Sequence, residues 1–186
     1  MTWLGLAACL CLACPRTASP PGPLMGLDGQ MHPVTVDATT RAWVYVFVGI
    51  ECPISNRCLP ELASLEKKYA SQGIRFLHLY PNPDETPERI RRHRAEYGLG
   101  PDAYRDPAHT LARQLQTHRT PEVVVITRGG RQVYQGRVND QYAALGVGKP
   151  APTRHDLAEV LAAIVAGAPL EPRIQAAVGC SFRSYP

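Results

Sequence analysis

The sequence predicts one α/β domain built on a central mixed sheet with helices on both faces. Three observations carry this expectation. A strand-length apolar run at residues 43–50 (WVYVFVGI) passes directly into a helical pattern, and a second strand at 74–80 (IRFLHLY) follows that helix. Late in the chain, Gly129-Gly130 separates two strand-like runs, which is a β-hairpin signature. Strands separated by helices require right-handed parallel crossovers, and the hairpin adds an antiparallel edge. With 186 residues and 45% hydrophobic content the chain suits one cored domain with tails and is too short for two.

Residues 1–23 read as a leader and tether. The apolar run at 3–14 is shorter than a bilayer span and suits the core of a secretion signal. Leu6-Ala7-Ala8-Cys9 resembles a bacterial lipobox, and Cys14 after Leu12-Ala13 is a second candidate for a lipidated N-terminus. Export is therefore expected, to the periplasm or as a membrane-attached lipoprotein. Prolines 15, 20, 21 and 23 then give a tether with no apolar face to bury.

The domain is expected over residues 24–168. Asp28-Gly29 signals a turn, followed by a short extended stretch at 34–36. The run at 43–50 reads as a strand buried on both faces. Pro53 suits a first helical turn, and Leu59, Leu62, Leu65 and Tyr69 recur at helical spacing. The strand at 74–80 is stopped by Pro81-Asn82-Pro83. Thr86 caps and Pro87 opens the next helix, which runs through the basic stretch Arg89-Ile90-Arg91-Arg92-His93-Arg94 to Gly98. Asp106 and Pro107 repeat that arrangement for a short helix ending near Gln116, strands follow at 122–127 and 132–138, and a capped amphipathic helix spans 153–166. The tail, 169–186, has little periodicity and carries Cys180.

The net charge of +4 is mild, and the basic residues are spread along the chain, so a nucleic-acid partner is not expected. Six cysteines fall into an N-terminal group (Cys9, Cys11, Cys14), a central pair (Cys52, Cys58) and Cys180, which is not the pattern of a small disulfide scaffold. A cysteine at the start of a helix has its sulfur near unpaired backbone N–H groups and the positive end of the helix dipole, which favours the nucleophilic thiolate. Cys52, between a strand and Pro53, is placed for this chemistry.

The segment FVGIECPISNRCLPEL, followed downstream by Thr120-Pro121 and EVVVITRGGRQVYQGRV, resembles the thioredoxin-like superfamily, in particular exported redoxins of the TlpA and ResA kind related to the AhpC/TSA proteins. The resemblance implies a thioredoxin-like fold and a thiol–disulfide oxidoreductase. In it Cys52 is the attacking cysteine, Pro60 the helix proline and Pro121 a cis-proline, whose Thr120 backbone faces the sulfur and pairs with an extended substrate. Its partners would be protein thiols and disulfides, or a small thiol or peroxide; it implies no cofactor and no resident metal.

One departure bears on the mechanism. Ser55 stands where the family's second cysteine would be, so no disulfide can form within the motif, although its hydroxyl can donate to the Cys52 thiolate. Cys58 lies six residues along the helix, about 9 Å of rise and roughly 240° of rotation away, beyond the reach of a disulfide, and reads as a packed core cysteine. Cys180, on the tail, is the candidate resolving cysteine; the alternative is a free or partner-bound Cys180, with resolution by the substrate or another thiol.

Two rival readings use the same scaffold. Peroxiredoxins place a proline and a hydroxyl residue seven and three positions before the attacking cysteine, where this chain has Tyr45 and Gly49. Sco-type copper chaperones use two cysteines and a histidine, for which Cys52, Cys58 and His118 are the candidates. Glu51 is expected to face solvent, Arg119 to lie beside the cis-proline loop, and the remaining histidines (His32, His78, His93, His109, His155) to hold surface or packing roles.

Overall fold

The structure, a computed structural model, describes residues 22–183; the leader cysteines Cys9 and Cys14 lie outside the described residues. In chain order, β1 (Leu24–Met25) and β2 (Met31–His32) form a small hairpin, and β3 (Ala42–Phe47) leads into α1 (Pro53–Tyr69). A short 3-10 turn and Gly73 pass the chain to β4 (Ile74–Tyr80), followed by α2 (Pro87–Tyr97), β5 (Ala103–Arg105) and α3 (Thr110–Leu115). Next come β6 (Arg119–Thr120), β7 (Glu122–Thr127) and β8 (Gln132–Gly136), then a minor hairpin of β9 (Tyr142–Ala144) and β10 (Val147–Gly148). The chain ends with α4 (Asp156–Ala166) and two tail strands, β11 (Arg173–Ile174) and β12 (Cys180–Ser181).

Among the described residues the main sheet has eight strands in the order β11-β8-β7-β3-β4-β5-β1-β2. β3 pairs in parallel with β4 and antiparallel with β7, and β7 pairs antiparallel with β8, so the sheet is mixed as expected. β3 is buried along its whole length because both faces are covered. Ala42, Val44, Val46 and Val48 pack with Leu59, Leu62 and Leu65 of α1, Ile90 of α2, and Leu157, Val160 and Leu161 of α4. Trp43, Tyr45 and Phe47 point the other way and pack with Leu77, Leu79, Val124, and Ala112 and Leu115 of α3. Each large side chain withdrawn from water in this way stabilises the fold by roughly 1.5–3 kcal/mol.

Several boundaries differ from the sequence expectation. Residues 34–36 form no strand; Val34 instead buries its side chain in the Trp43 cluster. α3 begins at Thr110 rather than at Pro107, with His109 at its N-cap in the left-handed region (φ 53°). Asp106 nevertheless serves that helix, because its carboxylate accepts from the amides of Leu111 and Ala112. α4 begins at Asp156, since the Thr153 hydroxyl and amide are engaged by Asp140 and do not cap the helix. The tail is ordered through pairing: β11 joins the edge of β8 in parallel, and β12 joins β6 antiparallel.

Candidate active site

The turn from β3 into α1 places Cys52 at the N-cap of the helix, in extended backbone (φ −88°, ψ 108°), with Pro53 opening the first turn. The Ser55 amide donates to Cys52 Sγ at 3.4 Å, and the Cys52 thiol donates to the Thr120 carbonyl at 2.9 Å. Cys52 is buried, only 4% exposed. The peptide bond between Thr120 and Pro121 is cis. β3 and the Thr120 loop approach so closely at Gly49 that a Cβ there would lie 2.7 Å from Thr120 Oγ1 and 3.2 Å from Cys52 Cβ, which explains a glycine at that position.

Ser55 acts differently from the sequence expectation. Its contact with the Cys52 sulfur is made by the backbone N–H, while its buried hydroxyl accepts from the Gly49 amide at 3.3 Å and so ties the helix to the strand end. Cys58 lies on the buried face of α1, where burial first, then the charges of Glu61 and Cys52, push its thiol up to about 12.

The tail brings the other sulfur to the same place. In the β12–β6 pair, Cys180 lies opposite Thr120 and Ser181 opposite Arg119. Burial, a hydrogen bond with the Cys52 side chain and the charge of that sulfur push the Cys180 thiol up to about 12, with Arg183 opposing. Cys180 therefore stays protonated at neutral pH. Glu51, Cys52, Asn82, Thr120, Cys180, Ser181 and Arg183 line a cleft of about 160 Å³.

Two buried networks hold the loop that carries Cys52, and neither was singled out from sequence. In the first, Glu85, fully buried, accepts from the Ile50 amide at 2.8 Å and from Asn82 Nδ2 at 2.9 Å. Burial raises the Glu85 carboxyl above its ordinary range, against the hydrogen bonds and the Arg183 charge. In the second, Asn56 Nδ2 donates to the Ile50 carbonyl at 2.8 Å, which leaves Asn56 Oδ1 to accept from His93 Nε2 at 3.0 Å. His93 Nδ1 is then the acceptor for the Tyr80 hydroxyl at 3.1 Å, and burial brings the imidazole down to about 4. His93 sits one turn from the buried Ile90 on α2, and that spacing was the available signal that it points inward.

Other expected residues take defined places. Glu51 is exposed and ion-paired with Arg89 and Arg183. Arg119 Nη1 donates to the Gly179 carbonyl at 3.3 Å, holding the tail. Tyr45 is packed into the sheet face opposite α1. Among the described residues no group of three or more His, Cys, Asp or Glu side chains is arranged to hold a metal ion, so Cys52, Cys58 and His118 do not form a copper site.

The chain matches no family model and no curated protein. It is similar in structure to a hypothetical protein from Sinorhizobium meliloti, with 22% identity, a TM-score of 0.79 and coverage of 92% of this chain and 94% of that one. An uncharacterized conserved protein from Geobacillus kaustophilus gives 23% identity and a TM-score of 0.77 over 92% of each chain. A thiol:disulfide interchange protein of the thioredoxin family from Chlorobium tepidum gives 16% identity and a TM-score of 0.58 over 82% of this chain and 99% of that one. The fold is thioredoxin-like.

Proposed function

We propose that this protein is a thiol–disulfide oxidoreductase acting outside the cytoplasm, in which Cys52 attacks and Cys180 resolves. The observation that carries the reading is the meeting of both cysteines at Thr120: the Cys52 thiol donates to its carbonyl, and Cys180 is its strand partner and lines the same cleft as Cys52. The Ser55 amide donates to Cys52 Sγ at the N-terminus of a seventeen-residue helix, so an N–H donor and the positive end of the helix dipole face the attacking sulfur. A shared fold with the thiol:disulfide interchange protein of Chlorobium tepidum supports the reaction class, and the apolar run at 3–14 supports export.

The Cys52 thiol, which rests hydrogen-bonded to the Thr120 carbonyl, first gives up its proton to solvent, and the thiolate attacks one sulfur of a substrate disulfide; that S–S bond breaks, and the leaving sulfur departs as a thiolate that takes up a proton. Cys180 gives up its proton as its sulfur attacks Cys52 in the mixed disulfide, which releases the second substrate thiol and leaves a Cys52–Cys180 disulfide. The substrate gains two electrons and two protons, and the two cysteines lose them. A thiol reductant reverses the sequence and resets the pair. Ser55 holds the loop and contributes its amide, and Thr120 with Pro121 forms the wall against which the sulfurs exchange.

Mass-spectrometric mapping after mild oxidation tests the proposal. A Cys52–Cys180 linkage, absent in Cys52→Ser, is expected. Stable adducts on Cys52 with Cys180 left free would remove the resolving role. Consumption of hydrogen peroxide faster than disulfide exchange, dependent on Cys52, would reassign the chain as a thiol peroxidase.

A further inference from the structure

Thr120 offers its backbone edge beside the reactive sulfur, and an extended polypeptide disulfide would need that edge to align with Cys52. In this molecule the edge is occupied by the chain's own tail, as Cys180–Ser181 pairs antiparallel with Arg119–Thr120. The fit is close: a Cβ on Gly179 would lie 2.2 Å from the Thr120 carbonyl oxygen, so only glycine permits this approach. Side chains on both sides of the strand fasten it. Phe182 stacks on Phe47 with ring centroids 5.6 Å apart and packs against His109 at 5.4 Å, and its amide donates to the His118 carbonyl. Arg183 pairs with Glu51 at 2.7 Å and Asp84 at 2.9 Å, and its amide donates to Asn82 Oδ1 at 2.9 Å.

We propose that residues 179–183 are a built-in occupant of the substrate edge, so that the protein with its tail seated exchanges with compact, low-mass disulfides and shuts out polypeptide disulfides. This rests on the thiol-exchange reading and names its substrate class. The cleft left between Glu51, Arg183 and the two sulfurs, about 160 Å³, is the room of a few small groups around a disulfide bond and is too small for a peptide strand with its side chains. A compact disulfide enters there, reacts with Cys52, and is resolved by Cys180 with the tail still seated; the electron and proton balance is that given above. A polypeptide disulfide reacts only from the fraction of molecules in which the tail has lifted, so its rate follows that fraction.

The test measures release of the leaving thiol from two probes, 2-hydroxyethyl disulfide and a disulfide-linked unstructured peptide of about fifteen residues, by the full chain and two variants. Phe182→Ala removes the half-buried ring that fastens the strand outside the cleft, and Gly179→Val wedges the strand off Thr120; circular dichroism and a melting curve report whether each variant is folded. The unaltered chain is expected to favour the small disulfide. Read on the first leaving thiol, whose release needs Cys52 alone, loosening the tail is expected to raise the peptide rate about ten- to a hundredfold and to raise the small-disulfide rate no more than about threefold. Equal rates for the two probes in the unaltered chain, or no gain in peptide rate in either folded variant, would overturn the proposal while leaving Cys52 chemistry intact. Failure of both probes with every variant would remove the thiol-exchange reading itself, and the proposal with it.

Discussion

Protonating His93 is a direct test of the network that holds the Cys52 loop. The neutral ring accepts from Tyr80 through Nδ1 and donates to Asn56 through Nε2, and Asn56 in turn holds the Ile50 carbonyl. A second ring proton would turn Nδ1 into a donor facing the Tyr80 hydroxyl, inside a site where the residue is 4% exposed. Burial, and to a lesser degree the charge of His78, lowers the pKa from 6.5 to about 4. Between those values the unfolded chain binds the proton more readily than the folded one. Stability is therefore undiminished above pH 6.5 and is lost as the pH falls toward 4. Linkage across this interval gives a loss of about 2 kcal/mol at pH 5 and about 3 kcal/mol at pH 4 from this residue. Urea unfolding of the native chain and of His93→Gln at pH 7 and pH 5 isolates the effect, because every other titrating group is common to both. The variant starts less stable at pH 7 but loses about 2 kcal/mol less on acidification. Equal losses in the two proteins, or a His93 ring titrating near 6.5 by NMR, would refute the reasoning.

Three further outcomes follow from the same structure. A Cys52–Cys180 disulfide closes a loop of about 130 residues, worth at most roughly 5 kcal/mol through the unfolded state, so the oxidised protein melts above the reduced one by up to about 10–20 °C; Cys180→Ser abolishes the difference. Alkylation at mildly alkaline pH leaves Cys58 unmodified in the native protein and modifies it once urea opens the core, because its thiol is held at about 12. The Glu85 carboxyl is raised by burial, so the folded chain holds that proton more tightly than the unfolded chain and stability falls as pH climbs from 4.5 through the folded value. Glu85→Gln flattens that fall, and a pH profile unchanged by the substitution would contradict it.

The parts of this fold legible in the sequence are those whose cause is local. The run at 43–50 is apolar on both faces because helices cover both, and Pro53 with the Leu59, Leu62 and Leu65 spacing marks α1 within one residue of its observed start. The Thr86-Pro87 opening of α2 follows the same local chemistry, with Thr86 Oγ1 accepting from the Arg89 amide. What was hidden is set by partners distant along the chain. Asp106 reaches five and six residues ahead to satisfy amides of α3, and Asp140 takes the Thr153 groups that would otherwise cap α4. At the site, Cys52 stands out by position, whereas Glu85 and Asn82 look like ordinary loop residues until the Ile50 amide and the Arg183 amide are seen to depend on them. The tail strands are two residues each, too short for any periodicity, and exist because the edges of β6 and β8 accept them.

That last pairing bears on solubility. β8 would present its outer row of backbone groups to any neighbouring molecule were β11 not laid along it, with Arg173 opposite Tyr134 and Ile174 opposite Gln135. Gly136, at φ 147°, lets the Gln175 carbonyl come within 2.1 Å of where a Cβ would stand, so the cover lies flush against the strand. A chain cut after α4 would expose that row as a ready template for stacking copies edge to edge. The tail that sets Cys180 opposite Thr120 thus also covers this edge of the sheet.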